Sequence, residues 1–584
     1  MDALSTSLKM DEQRQYFVDS NQHCLVLGGP GSGKTTISLI KAHNEIAKGN
    51  LEKYQKILFL SFARATITRI VEASQILLDS HSRKSLDINT YHGFCWALLQ
   101  SHGYLIGLNR KIILLSPVDA ASHLADIRSN KDNIVTRKQE EANELKRLAF
   151  EEGKLSFDLF SELSVKLLRR HPKIAKIICD KYPLMIFDEF QDTDSNEWDL
   201  IQELGVRSTL ITLADPDQRI FEFRGADQAR IRQFSEKFKP RNFDFGIENN
   251  RSPGTDISDF GKDILTDLNK GKQYKDVKII KWTFTYRSTT YTLKSKVIEA
   301  CKRLNTKHDN WSLAVLVPTK KLMLIVSQAL SENSNNLPPL YHSIAIDAEG
   351  PTLAARIIAY LLEPVVDTSL KLSELINMLS QFYRGKGGSN PGVGDLKESA
   401  ALLKALDKAT KSGMIGEKSI IYRADLLVQS ISKTRFSGNP EIDWITIREM
   451  LIQSNCPRLK IVAELSIYIK LLGKGTHLRE ALATNWRKDA CYSNAREIIE
   501  NAFMQEHFSS STKPSKGIIV MNMHKAKGKE FNEVILFEDQ YNGRFYPKQS
   551  SIDQARINLR VSVTRAKERT TIMTPSSEPS ILLF

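Results

Sequence analysis

Cysteine is scarce in this chain. Its 584 residues hold six, Cys24, Cys95, Cys179, Cys301, Cys456 and Cys491, with no C-x-x-C pair and no histidine beside them at metal-ligand spacing. That argues against a zinc site, an iron–sulfur cluster or a disulfide framework, and suits a reducing, cytoplasmic compartment. No eighteen apolar residues run together, and the first ten residues lack an apolar signal core, so neither a membrane span nor a leader is expected. Internal repeats and low-complexity tracts are absent too. Acidic charge is in deficit, 68 Asp+Glu against 82 Lys+Arg, for a net +14. That sign favours a polyanionic partner, of which nucleic acid is the commonest. With 41% hydrophobic and 26% charged residues, the composition is that of an ordinary globular protein. The length is too great for one core and points to three or four domains.

Two segments carry chemistry. The run Gly28-Gly29-Pro30-Gly31-Ser32-Gly33-Lys34-Thr35 follows a short apolar stretch, Cys24 to Leu27, and precedes a helix-like stretch from Thr36 to His43. Strand, glycine loop and helix in that order are the context of a phosphate-binding loop. Its glycines let backbone N–H groups turn inward, the helix start adds positive potential, and Lys34 brings a mobile point charge for the outer phosphates. Thr35 would hold magnesium. The second segment, Asp188-Glu189-Phe190-Gln191-Asp192-Thr193, closes the buried-strand run Leu184 to Phe187. Adjacent carboxylates at a strand end suit magnesium chemistry: Asp188 reaches the ion and Glu189 polarises the attacking water.

β-rich runs alternate with helical segments twice over. In the first third the candidate parallel strands are 24–27, 56–62, 184–187 and 209–213; a second series comprises 277–284, 313–317, 517–521, 533–537 and 570–573. Ligands of such sheets bind at the carboxyl ends of the strands. Residues 371–510 are helix-patterned throughout, and so is a smaller stretch at 103–180. The expected domains are therefore 1–102 plus 181–240 and 241–370 plus 511–584, with helical insertions at 103–180 and 371–510.

Further short runs complete a series: Gln13 in Asp11-Glu12-Gln13-Arg14, Leu60-Ser61-Phe62, Asn89-Thr90-Tyr91-His92, Ala214-Asp215-Pro216-Asp217-Gln218 continuing to Phe223-Arg224, Asn249-Asn250-Arg251, Met523-His524 continuing to Gly528-Lys529-Glu530, and Val563-Thr564-Arg565-Ala566. Taken in order over residues 13 to 566, they resemble the motifs of superfamily 1 DNA helicases of the UvrD, Rep and PcrA type. The resemblance implies an α/β fold of two RecA-like, parallel-sheet P-loop domains, each with a helical insertion. It also implies ATP and Mg²⁺ as ligands, the ion being held through Thr35 and Asp188. Gln13, the loop from Gly28 to Thr36 (Gly28, Gly29, Pro30, Gly31, Ser32, Gly33, Lys34, Thr35, Thr36), Gly528 and Glu530 would hold the nucleotide, with Glu530 accepting from the ribose. Gln218 would sense the γ-phosphate. Arg251 and Arg565 would reach across from the second domain to neutralise charge on the transferred phosphoryl group. A sequence-blind motor also needs faces for bases and cations for phosphates, and Phe62, His92, Phe223, Arg224 and His524 stand at positions near the DNA strand.

Departures from the family pattern concern the base pocket. Thr36 and Asn250 stand where relatives commonly carry Arg and Tyr around the adenine, which predicts a relaxed nucleotide preference. Phe223 replaces the usual Trp, and Arg560 stands where an aromatic is common. The expected function is an ATP-dependent 3′–5′ translocase on single-stranded DNA that unwinds tailed duplex. The rival expectation is a DNA- or nucleotide-sensing regulatory ATPase working with a separate nuclease or repair partner, in DNA repair or phage defence.

Overall fold

A computed structural model describes residues 10–61, 64–130, 133–215, 229–246, 251–283, 289–333, 336–344, 349–412, 416–466, 477–508, 516–547 and 551–584. Phe62, Gln218, Phe223, Arg224 and Asn250 lie outside them. The chain divides into two compact units, one of residues 1–102, 161–345 and 509–584, the other of 103–160 and 346–508.

The first unit holds two six-stranded sheets, each parallel throughout. One runs in the order Leu86–Thr90, Ile57–Ser61, Leu184–Phe187, Thr209–Ala214, Cys24–Leu27, Arg241–Asp244. The other runs His342–Ile344, Gly517–Asn522, Ser312–Val317, Phe531–Phe537, Ala566–Pro575, Val277–Trp282. Their inner strands are continuous apolar runs because helices cover both faces of a parallel sheet; Leu184–Phe187 and Ser312–Val317 are buried at every position. Apolar helix faces complete the cores, as where Ile37 and Leu39 pack with Val26, Phe59 and Ile211. The two sheets, expected in separate domains, thus share one compact unit.

The observed borders differ from the expected ones for identifiable reasons. Strand Arg241–Asp244 pairs with Cys24–Leu27, so the first sheet continues past residue 240. Residues 161–180 belong to the sheet unit because their helices pack on helix Ser195–Gly205: Arg169 Nε donates to Glu203 Oε1 at 2.7 Å and Cys179 Sγ meets Leu204 O at 3.5 Å. Helix Glu349–Leu362, expected in the second sheet domain, is buried from Leu353 to Leu362 in the core of the helical unit.

The helical unit joins the two expected insertions into one body. Arg356 makes a bidentate pair with Asp119, at 2.5 and 3.1 Å, and Val118 enters the core built by the later helices. All six cysteines are free, four of them buried. No helix among the described residues is long and apolar enough to cross a membrane.

Candidate nucleotide site

The site is built where the first sheet's strands end. Strands Cys24–Leu27 and Leu184–Phe187 flank Thr209–Ala214, so the glycine loop, the Asp188-Glu189 pair and Asp215 emerge side by side from the same sheet edge. Gly33 takes φ 88° at the start of helix Lys34–Ala47, and Gly31 takes φ 81°; both lie in the left-handed region that a side chain disfavours. A Cβ on Gly28 would sit 2.6 Å from Ser32 Oγ, so a side chain there would displace the Ser32 hydroxyl. The loop is tied to its sheet where Gly29 N donates to Gly246 O at 2.9 Å.

Lys34 Nζ donates to Gly28 O at 2.6 Å and to Gly29 O at 3.1 Å. Thr35 Oγ1 donates to Asp188 Oδ2 at 3.3 Å, which brings a hydroxyl and a carboxylate to one point beside the loop. Asp188 Oδ1 accepts from Glu189 N at 2.9 Å, and Glu189 Oε2 accepts from Gln191 Nε2 at 2.6 Å. Burial, reinforced by the neighbouring Glu189 charge, pushes the Asp188 carboxyl up to about 6. Burial acts on Glu189 in the same direction, but Lys527, Arg565 and Lys34 outweigh it and hold that carboxyl below its ordinary value.

One cavity gathers most of the expected site. Its lining includes Pro30, Gly31, Ser32, Gly33, Lys34, Thr35 and Thr36 from the loop, Asp188 and Glu189, and, from the second sheet's side, Arg251, Glu530 and Arg565. The contacts of Arg251 include Nε to Glu530 Oε1 at 2.7 Å and Nη1 to Thr564 O at 3.0 Å. Arg565 is 2% exposed and donates from Nε to Val561 O at 2.8 Å. Burial, with Arg251 and Arg69 nearby, brings its guanidinium down to about 9, still charged at neutral pH.

Other expected residues fall elsewhere. Gly28 and Gly29 contribute carbonyls to Lys34 but do not line the cavity, nor does Gly528. Gln13, on helix Glu12–Asp19, is exposed and outside the lining; the buried residue of that turn is Arg14, whose Nη2 donates to Ser32 O at 3.4 Å. His92 is the second residue of helix Tyr91–His102, and His524 lies in the turn Met523–Ala526; both are half-buried, and burial lowers the His524 pKa.

Four residues with clear contacts here were not singled out from sequence. Arg69, on helix Arg64–Leu77, lines the cavity and pairs with Glu530 Oε1 at 2.6 Å. Gln191, Asp215 and Lys527 lie inside motif runs, which was the available signal. Arg69 has none, being one arginine in an otherwise unremarked helix.

The donor set suits a magnesium–nucleotide complex. Among the described residues no cluster of three or more His, Cys, Asp or Glu could cage a metal, whereas Mg²⁺ is typically held by one or two protein oxygens together with substrate phosphates. Thr35 and Asp188 offer that arrangement.

Residues 10–152 and 136–239 match the UvrD/REP helicase N-terminal domain family. The chain is 24% identical over 280 residues to the ATP-dependent DNA helicase PcrA of Staphylococcus aureus, a match covering 42% of this chain and 38% of that protein. It is 25% identical over 321 residues to the ATP-dependent DNA helicase UvrD1 of Mycobacterium leprae, covering 45% and 41%. The match thus spans about two fifths of the length of these curated relatives. Residues 10–239 thus resemble the UvrD/REP helicase N-terminal domain, and the chain is similar over that part to proteins of the UvrD/Rep/PcrA type.

Proposed function

We propose that the chain is an ATP-dependent DNA translocase and helicase that moves 3′ to 5′ along single-stranded DNA and separates tailed duplex. One observation carries the reading: Arg251 and Arg565, from the second sheet's side, line the same cavity as Lys34, Thr35, Asp188 and Glu189 from the first. A hydrolytic site shared between the two halves of this unit, a first lobe around the first sheet and a second lobe around the second, would let nucleotide binding and release move one against the other, which is what a motor requires. The direction of travel is taken from the resemblance.

In the proposed cycle Lys34 leaves the loop carbonyls for the outer phosphates of ATP. Thr35 and Asp188 would hold Mg²⁺, which would supply charge neutralisation at the phosphates. Glu189 polarises the attacking water. Arg565, dry and fixed, and Arg251, released from Glu530 to the substrate, stabilise charge on the transferred phosphoryl group; an arginine in this role is worth roughly 10³ to 10⁵ in rate. Glu530 then accepts from the ribose. Gln218 senses whether the γ-phosphate is present and couples that state to the DNA, with Phe62, His92, Phe223, Arg224 and His524 along the strand. The exposed Gln13 and the small Thr36 leave little to select the base, so ATP is preferred over GTP by under about 10²-fold, well short of the discrimination a site built around specific hydrogen bonds achieves.

The test is ATP turnover of the purified chain with and without single-stranded DNA, followed by strand displacement. DNA-stimulated turnover and displacement from a 3′ tail but not a 5′ tail are expected. Stimulated turnover without displacement from either tail would reject unwinding by this chain.

A further inference from the structure

Glu189 sits in a backbone conformation that side chains disfavour: φ 54° and ψ 37° lie in the left-handed region. Among the described residues lining the cavity, it is the only non-glycine with positive φ. Such a conformation persists where surrounding contacts enforce it, and it is found disproportionately at active sites.

The enforcing contacts lead to the second lobe by two routes. In the first, Lys527, just after the turn Met523–Ala526, contacts the Asp192 carboxylate and lies 3.7 Å from Glu189 Oε2. Its side chain is 3% exposed and that of Asp192 1%. The second is a relay. Gln191 Nε2 donates to Glu189 Oε2, Gln191 Oε1 accepts from Asp215 N at 3.0 Å, and Arg560 Nη1 lies 3.7 Å from Asp215 Oδ1. Arg560 occupies the last turn of helix Ile552–Val563, and this ion pair is also buried, at 6% and 5% exposure.

We propose that Lys527 and Arg560 are positioning residues for hydrolysis, through which the second lobe holds Glu189 in its working orientation. The inference rests on the reading of Glu189 as the group that polarises water. Neither cation lines the cavity, so each acts through another residue and not on the substrate. The first route runs beside a segment read as touching DNA, since Lys527 is three residues from His524, and the second passes through Asp215, which directly precedes the segment bearing Gln218, Phe223 and Arg224. The Arg560 route is a feature of this chain, since an aromatic residue at that position would form no ion pair with Asp215.

The experiment compares full-length Lys527→Met, Lys527→Arg and Arg560→Gln with the unaltered protein, all made in the Glu189→Gln background as well. It reads turnover at saturating ATP and single-stranded DNA, affinity for a fluorescent ATP analogue, and thermal melting. Lys527→Met is expected to lose roughly 10²-fold in kcat, the scale of misplacing a reacting group by about 1 Å, with nucleotide Kd changed by less than about threefold. Arg560→Gln loses about tenfold, and Lys527→Arg recovers part of the Lys527→Met loss. On Glu189→Gln the same changes have almost no further effect, because all act through one carboxylate.

Wild-type kcat in folded Lys527→Arg and Arg560→Gln overturns the proposal. So does a kcat loss that tracks lost nucleotide affinity, or one that adds in full on Glu189→Gln. If Lys527→Met does not fold, the other two variants decide by the same criteria. Undiminished turnover in Glu189→Gln alone is a different failure: it removes Glu189 from its assigned role and takes this proposal with it.

Discussion

Three cations converge on the Glu530 carboxylate: Arg69 at 2.6 Å, Arg251 at 2.7 Å and Lys567 at 3.5 Å. Burial alone would raise its pKa, but Arg251, Arg69 and Lys567 outweigh burial and hold it down at about 2. A carboxylate depressed in the fold adds stability above its unfolded pKa, near 4.5, and that stability is lost as pH falls from there to about 2. The full contribution is about 3 kcal/mol. Denaturant unfolding should therefore show Glu530→Gln less stable than the unaltered chain at pH 7, with the gap closing as pH falls from 4.5 toward 2. A gap independent of pH would contradict the assignment. In sequence Glu530 stood out through its motif, but its load did not, because Arg69 lies 461 positions away in the chain.

At the scale of elements, what could be read depended on burial. The inner strands announced themselves as apolar runs. Three strands of the two six-stranded sheets gave no such signal, Leu86–Thr90, Arg241–Asp244 and His342–Ile344, and each lies at a sheet edge. An edge strand faces solvent along one side and need not be apolar throughout: Arg241–Asp244 buries one residue of four. Helix Ser195–Gly205, which follows Asp188 and Glu189, shows what sequence left out. Its start is a capping box of Asp194 and Glu197, while its end approaches its neighbours so closely that a Cβ on Gly205 would lie 2.5 Å from Phe238 Cζ and 2.6 Å from Leu210 Cδ1. Gly205→Ala should destabilise the sheet unit by roughly 1–3 kcal/mol, the usual range for overpacking. An unchanged melting temperature would mean that this contact is looser than described.

For the whole molecule, the two parallel sheets were legible because apolar strand runs alternate with helical segments twice over. The gathering of two distant insertions, 103–160 and 346–508, into one unit was not legible: the pairing of Asp119 with Arg356 is a tertiary event with no periodic trace in sequence. The net charge of +14 belongs to the whole chain and to its proposed track. Affinity for a single-stranded oligonucleotide should fall steeply with salt, with log Kd rising in proportion to log salt at about 0.7 per phosphate contacted; a flat dependence would assign the excess charge to another role. In the proposed motor, hydrolysis depends on Arg565 reaching the nucleotide from the second sheet's side of the cavity. The most direct measurement is single-turnover ATP hydrolysis by Arg565→Ala, with nucleotide affinity measured in parallel. A fall of about 10³-fold or more in the hydrolysis rate, with ATP still bound, is the predicted result; hydrolysis at the unaltered rate would contradict a site completed by the second lobe.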